Sequence, residues 1–331
     1  MDISILLALQ DFRNGAGAIF AEFFSKMTFL AELNTVLIVM AIVYWCVSKS
    51  FGTFLLMGWS ANRLVNGVLK VTACAYRPWI RDASIVPYGN AMTTATGYSF
   101  PSGHSMNGAT VFGGVAVRKD MPKVLRIVMG AIVVLIAFSR IFLGVHTPQD
   151  IIVGALAGLL VMWLVFKLMQ WIDAHPDKDM LVVFVGVGLA IAVAVYAALK
   201  PYPMDYDAEG KLLVDGAKMA TDTFKGVGWC TAFLVGWILE RRFVGFSTDV
   251  PVITRVTRLA IGLLGFYAIS LIVLPLIKVW VLGAAGAFVT CFLQMLYIAF
   301  LFPWCIKRFE KAKDAVEGDG LPQQPIQIAE D

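Results

Sequence analysis

The chain has 331 residues, 59% of them hydrophobic and only 15% charged, with a mean hydropathy of +0.77. These values exclude an ordinary soluble domain and fit a polytopic membrane protein. The net charge of +4 is spread over short turns, so it speaks for membrane topology and against nucleic acid as a partner.

Residues 2–13 set Ile3, Leu6, Leu7 and Leu9 against Asp11 and Arg13, the pattern of an amphipathic interfacial segment. Met1–Asp11 has two acids and no basic leader, so no cleavable signal peptide is expected. Residues 16–31 read as helical but carry Glu22 and Lys26, which disfavours a span. Leu33–Val47 reads as the first span, Lys49 as a tight turn, and Phe51–Ala75 as the return. Arg63, Asn66 and Lys70 interrupt that return segment. Arg63 is read as snorkelling to the headgroups, and Lys70 as a functional candidate. A loop, Tyr76–Tyr98, leads to Ser99-Phe-Pro-Ser-Gly-His-Ser105 and a helix running to Val117, with Ser102 as its N-cap. Basic residues Arg118, Lys119, Lys123 and Arg126 fill the next turn. Ile127–Leu143 then leads into Arg140–Asp150, and Ile151–Trp171 follows.

Pro148 suits the first position of that next helix, which puts Thr147 at the N-cap and Asp150 at the third helical position. His146 then stands just outside the helix mouth, within reach of Asp150. The remaining spans are Met180–Leu199, Gly226–Leu239, Leu259–Ile277 and about 282–302. Lys200–Lys225 is expected to be a solvated outer loop. Its Asp205-x-Asp207-x-Glu209 pattern has Gly216 where a calcium loop needs glutamate. The reading divides the chain into N-terminal helices (1–32), a core (33–175), additional spans (176–306) and a disordered cytoplasmic tail (307–331). The expected fold is all-α, a polytopic bundle of about nine transmembrane helices. Five cysteines in apolar surroundings read as packing residues, with no disulfide framework and no metal cluster.

Hairpin parity places Lys70, Arg77, Ser102–His104 and Arg140–Asp150 on one side of the membrane. The basic turns at Lys49, Arg118–Arg126 and Arg241–Arg258 fall on the other side, which the positive-inside rule makes cytoplasmic. Three cations, two of the chain's three histidines, one aspartate and two helix N-termini thus meet on the outer side. Fixed cations and free helix-start amides suit a phosphoryl group.

Lys70-(six residues)-Arg77-Pro78, Pro101-Ser102-Gly103-His104 and Ser139-Arg140-(five residues)-His146-(three residues)-Asp150 together resemble the tripartite signature of the type 2 phosphatidic acid phosphatases. That superfamily includes vanadium haloperoxidases and glucose-6-phosphatase. The resemblance covers about residues 30–172, and the added C-terminal spans resemble the nine-span layout of glucose-6-phosphatase. It implies a haloperoxidase-like helical core and an integral-membrane, metal-independent phosphatase without a cofactor. In such an enzyme His146 attacks phosphorus to form a phosphohistidine and Asp150 orients it. His104 protonates the leaving oxygen and then activates water. Lys70, Arg77, Ser102, Gly103 and Arg140 hold the phosphoryl oxygens, and Ser139 supports them from behind. The expected substrate is a lipid phosphate or pyrophosphate met on the outer face of the cell membrane. The alternatives are a phosphatase of soluble sugar phosphates, a haloperoxidase, a metal hydrolase and a non-enzymatic transporter. Charges gathered at one end disfavour the transporter, whose sites lie near the midplane. The absence of His-Glu-x-x-His disfavours the metal hydrolase.

Overall fold

The computed structural model describes residues 2–15 and 18–309. They form thirteen α-helices, with no strand beyond an isolated bridge between Tyr206 and Leu212. Helices α1 (Asp2–Gly15) and α2 (Ala18–Phe29) precede α3 (Leu33–Ile42), which runs on through a π-turn to Val47. Ser48 caps α4 (Lys49–Ala73), its hydroxyl accepting from the Phe51 amide at 3.2 Å, and so makes the tight turn read at Lys49. Cys74 ends α4 with φ +46°, a left-handed stop that swings the chain into Arg77 and the short α5 (Pro78–Arg81). Helices α6 (Gly103–Ala116), α7 (Lys123–Phe142) and α8 (Pro148–Ala174) follow as a packed trio. Next come α9 (Asp179–Leu199) and α10 (Gly216–Leu239). The chain closes with α11 (Val252–Ala268), α12 (Leu274–Trp280) and α13 (Gly283–Leu296), the last continuing as helix to Phe309.

Among the described residues five helices are long and apolar enough to cross a membrane, or six if the bent pair Ile19–Phe29 and Leu33–Val47 (53°) is one span. Helices α4, α6 and α10 also lie where spans are expected. They fall short of that test because α4 and α10 carry polar residues and α6 has only 14 residues. Side chains such as Leu156, Leu160, Phe184, Leu189, Leu264 and Leu271 point outward. So broad an apolar exterior belongs in hydrocarbon, and the protein is an integral membrane protein.

The main core joins α3, α4, α8, α10 and α13 around Trp45, Leu56, Trp59, Phe233 and Ile298. Its tryptophans spend their N–H groups inside: Trp45 donates to the Ile298 carbonyl at 2.9 Å and Trp59 to Asn107 Oδ1 at 3.2 Å.

Two expectations change, and the N-terminal stretch shows contacts the sequence did not suggest. Residues 216–225 are the first turns of α10 and not loop, because Asp215 caps them, accepting from the Ala217 amide at 2.8 Å. Lys307–Phe309 continue the last helix, while the rest of the expected tail, 310–331, lies outside the described residues. The N-terminal stretch, read as interfacial, is tied to the bundle: Leu6 packs with Ile141 and Ile151. Buried Arg13 donates to the Phe142 and Val86 carbonyls.

Candidate active site

One end of α4, α6, α7 and α8 converges on a cavity of about 380 Å³. The start of α8 is built as its sequence predicts. Thr147 Oγ1 accepts from the Asp150 amide at 3.4 Å, and Asp150 Oδ2 accepts from the Thr147 amide at 2.8 Å. This reciprocal cap is worth about 1 kcal/mol. Gly154 lets α8 reach the mouth of α6, since a Cβ there would stand 2.8 Å from the Ser102 carbonyl oxygen. In turn the Ser102 amide donates to the Asp150 carbonyl at 2.9 Å, so the two helix starts are joined directly.

Asp150 Oδ2 also accepts from Ser99 Oγ at 2.5 Å and faces His146 Nδ1 at 3.3 Å. That contact places the imidazole proton on Nδ1. Nε2 then carries the lone pair, and Arg77 Nη1 donates to it at 2.9 Å. Burial and the adjacent Arg77 charge hold His146 well below the usual histidine range. The result is a neutral imidazole on the cavity wall, with its Nε2 lone pair held by Arg77.

Arg77 is buried and nearly saturated. Its Nε donates to the Gly97 carbonyl at 3.0 Å, Nη1 to the Val145 carbonyl at 2.9 Å and Nη2 to the Thr96 carbonyl at 3.1 Å. Of its five N–H groups, one on Nη2 is left for a ligand. Burial and the nearby Arg140 charge lower it to about 9, still a cation at neutral pH. Lys70 Nζ donates to the Tyr98 carbonyl at 3.0 Å and retains two protons.

Lys70, Arg77, Gly103, His104 and His146 form the cavity wall. Ser102, Arg140 and Asp150 are buried behind it. Ser102 Oγ accepts from the Ser105 amide and hydroxyl at 3.3 and 3.0 Å, as a helix cap. Ser139 bonds the Ile136 carbonyl at 2.6 Å. Arg140 Nη2 reaches Thr94 Oγ1 at 3.5 Å, but its Nε and Nη1, like His104 Nε2, are buried with no hydrogen-bond partner among the described residues. Buried unsatisfied donors are costly and uncommon. Here His104 lines the cavity, and Arg140 lies behind its wall against Thr94, which also lines it. Among the described residues no group of three or more His, Cys, Asp or Glu is arranged to hold a metal ion.

Several site residues escape the sequence reading. Ser99 directs Asp150 from just outside the second motif. Asn66 and Asn107 line the wall, and Asp222 and Lys225 reach it from α10, far along the chain. Glu32 joins them near Arg140. Arg63, read as snorkelling, instead turns inward. It lines the cavity with its guanidinium over the Trp229 ring at 5.4 Å, because residues 63, 66, 67 and 70 share one face of α4. His175, the chain's third histidine, lies away from the site, at the C-cap of α8 and stacked on Trp171.

Fold and cavity together define an all-helical membrane protein with a histidine–aspartate pair buried against a cationic pocket. The chain belongs to the PAP2 superfamily, which matches residues 32–174, and residues 224–314 match the PAP2 superfamily phosphatase transmembrane extension. It is 36% identical over 122 residues to phosphatidylglycerophosphatase B of Bacillus subtilis (34% of this chain, 56% of that protein). Identity to undecaprenyl-diphosphatase of Sulfolobus acidocaldarius is 37% over 83 residues (25% of this chain, 38% of that protein). With glucose-6-phosphatase catalytic subunit 1 of Haplochromis nubilus it is 27% over 165 residues (43% and 46%). The chain thus spans about half, or less, of the length of these relatives. Among solved structures it is similar to the PAP2 type phosphatidylglycerolphosphate phosphatase from Bacillus subtilis, with 30% identity and a TM-score of 0.43, covering 52% of this chain and 85% of that one.

Proposed function

We propose that the protein is a metal-independent membrane phosphatase that hydrolyses a lipid phosphate or pyrophosphate through a phosphohistidine. The observation that carries the reading is the meeting of a neutral, Asp150-held His146 with Lys70, Arg77 and an unpartnered His104 Nε2 on the wall of one cavity, with the unpartnered donors of Arg140 buried behind it. His146 Nε2 attacks phosphorus while the bond to the leaving oxygen breaks, and that oxygen takes a proton from His104. Water then attacks phosphorus and gives its proton to His104, while the phosphorus–nitrogen bond breaks and its electron pair returns to His146 Nε2. Phosphate leaves and both histidines are restored. Lys70, Arg77, Arg140 and the Gly103 amide stabilise the charge on the equatorial oxygens. Ser102 acts by fixing the start of α6. Residues 33–175 serve as the catalytic core, and the later helices frame it. The relatives' named substrates include phosphatidylglycerol phosphate and undecaprenyl diphosphate, which supports a lipid substrate here.

The test is phosphate release by purified protein from a panel of lipid phosphates and diphosphates, beside glucose 6-phosphate. Lipid phosphates are expected to turn over fastest, chelator to leave the rate unchanged, and vanadate to inhibit by mimicking the transition state. A requirement for a divalent ion, or preference for glucose 6-phosphate, would count against the proposal.

We infer further that the site faces away from the cytoplasm. Supporting this, the opposite end of the bundle holds Lys49 paired with Glu240 at 2.7 Å and Arg242 paired with Asp179 at 2.8 Å, among the basic turns that stay inside. All five native cysteines are free and can be replaced. An Ala83→Cys variant on that background is expected to react with an impermeant thiol reagent in intact cells, and Lys119→Cys only after permeabilisation. The reverse pattern would move the site to the cytoplasmic face.

A further inference from the structure

Resting on the phosphatase reading, we propose that Arg63 and Lys225 form a second anion subsite, which takes a second phosphate group carried by the same substrate on its leaving-group side. Neither residue belongs to the three motifs. Arg63 lies seven residues before Lys70 on the same face of α4, about 10 Å along the axis. That offset between the two residues' backbone positions leaves room for a second phosphate beside the one Lys70 holds. The direction is given by Gly103. A Cβ there would stand 4.0 Å from Arg63 Nη1, and the next residue is His104, the group placed to protonate the leaving oxygen. Arg63 therefore stands at the start of α6, on the His104 side of the transferred phosphoryl, which His146 faces.

Arg63 Nε is buried with no hydrogen-bond partner among the described residues. Its ring contact with Trp229 holds the guanidinium plane without using its in-plane donors. Helix α10 delivers the second cation. It touches α4 at this level, because a Cβ on Gly226 would lie 3.0 Å from the Arg63 carbonyl oxygen. Lys225, one residue earlier, lines the cavity with its Nζ on Asp222 Oδ1 at 2.5 Å. Asp222 takes part of the lysine's charge, and Glu32 stands on the Arg140 side. Asp222 also acts on Arg63 through space, but neither carboxylate is in ion-pair contact with its guanidinium, whose Nε is unpartnered among the described residues, so Arg63 supplies the main attraction. This gives the extension helices a part in substrate choice: they supply the wall that reads what the phosphoryl group is attached to.

The test is titration calorimetry of the purified full chain with orthophosphate, inorganic pyrophosphate and glycerol 1,3-bisphosphate. Pyrophosphate, the bisphosphate or both are expected to bind at least about tenfold tighter than orthophosphate, the gain of one charge-assisted fork. The pyrophosphate and bisphosphate arms separate a diphosphate from two phosphates on a short linker. In Arg63→Gln, and less fully in Lys225→Gln, the ratio is expected to fall to within about threefold of one, with orthophosphate affinity little changed. Arg63→Lys, which keeps the charge, should retain part of the preference and serves if the glutamine variant does not fold. Equal affinities in the wild type, or a ratio untouched by both substitutions, would overturn the subsite. Phosphate release measured in the same preparation separates the two readings. Preference without turnover removes the phosphatase reading and keeps the subsite; turnover without preference does the opposite.

Discussion

Replacing His146 with alanine is expected to abolish phosphate release, by at least about 10⁴-fold, while the protein still inserts and folds. The size follows from removing a nucleophile that acts as one unit with its partners. The small structural cost follows from the contacts: His146 Nδ1 faces Asp150 and, at 3.4 Å, Ser99 Oγ, and Nε2 accepts from Arg77. Asp150→Asn should lose less, about 10²–10⁴-fold, because the imidazole stays but its tautomer is no longer fixed. It also weakens the cap of α8, so a loss of about 1 kcal/mol in stability should accompany it. The pH profile carries a further signature. His146 must be unprotonated to attack, and its proton affinity lies below the ordinary histidine value. The acid limb of kcat/KM that belongs to it should therefore fall below pH ~6.5. Asp150 opposes that depression, so in Asp150→Asn the limb should move lower still. Turnover retained in His146→Ala would remove the phosphohistidine mechanism.

How much of this could be read from the chain depends on the range of each interaction. The α8 cap is local: Thr147, Pro148 and Asp150 lie within four residues, and the geometry they imply is the geometry found. The joining of Lys70, Arg77, His104 and His146 was legible through hairpin parity, since long apolar helices leave few ways to arrange their ends. Arg63 was not. Whether a basic residue near a helix end snorkels or turns inward depends on what faces it, and Trp229 arrives 166 residues later. The same holds for Lys225. Its charges read as solvated loop until Asp215 caps the helix that brings them to the cavity. Ser99 was hidden differently. A serine ahead of a helix is ordinary, and its role appears only once Asp150 from α8 is beside it. Helix α4 broke the composition test for the same reason: Asn62, Asn66 and Lys70 are turned toward partners, with Asn62 on Thr110 and Asn66 on the Pro101 carbonyl.

Arg140→Met is expected to separate function from stability most sharply. In most proteins the removal of a fully buried arginine costs about 3–5 kcal/mol, because a partner charge is left behind. Among the described residues Arg140 has no such ion pair. Nη2 makes one long contact to Thr94, while Nε and Nη1 have no partner among the described residues. The guanidinium therefore carries its desolvation penalty with little return from the protein around it. Glu32 acts on it electrostatically but is half-buried, so water can serve it once the arginine is gone. A methionine of similar length would fill the space at no polar cost. The melting temperature of the variant should therefore match or exceed that of the wild type. Its turnover should fall by at least about 10²–10³-fold, the loss from removing one donor aimed at the transition-state charge. Vanadate makes the contrast measurable without any substrate. At 100 times its dissociation constant it should stabilise the wild type by about 2.7 kcal/mol and leave Arg140→Met almost unmoved. A variant that melts well below the wild type yet keeps its turnover and its response to vanadate would make Arg140 a structural residue and leave Lys70, Arg77 and the α6 amides to hold the phosphoryl group alone.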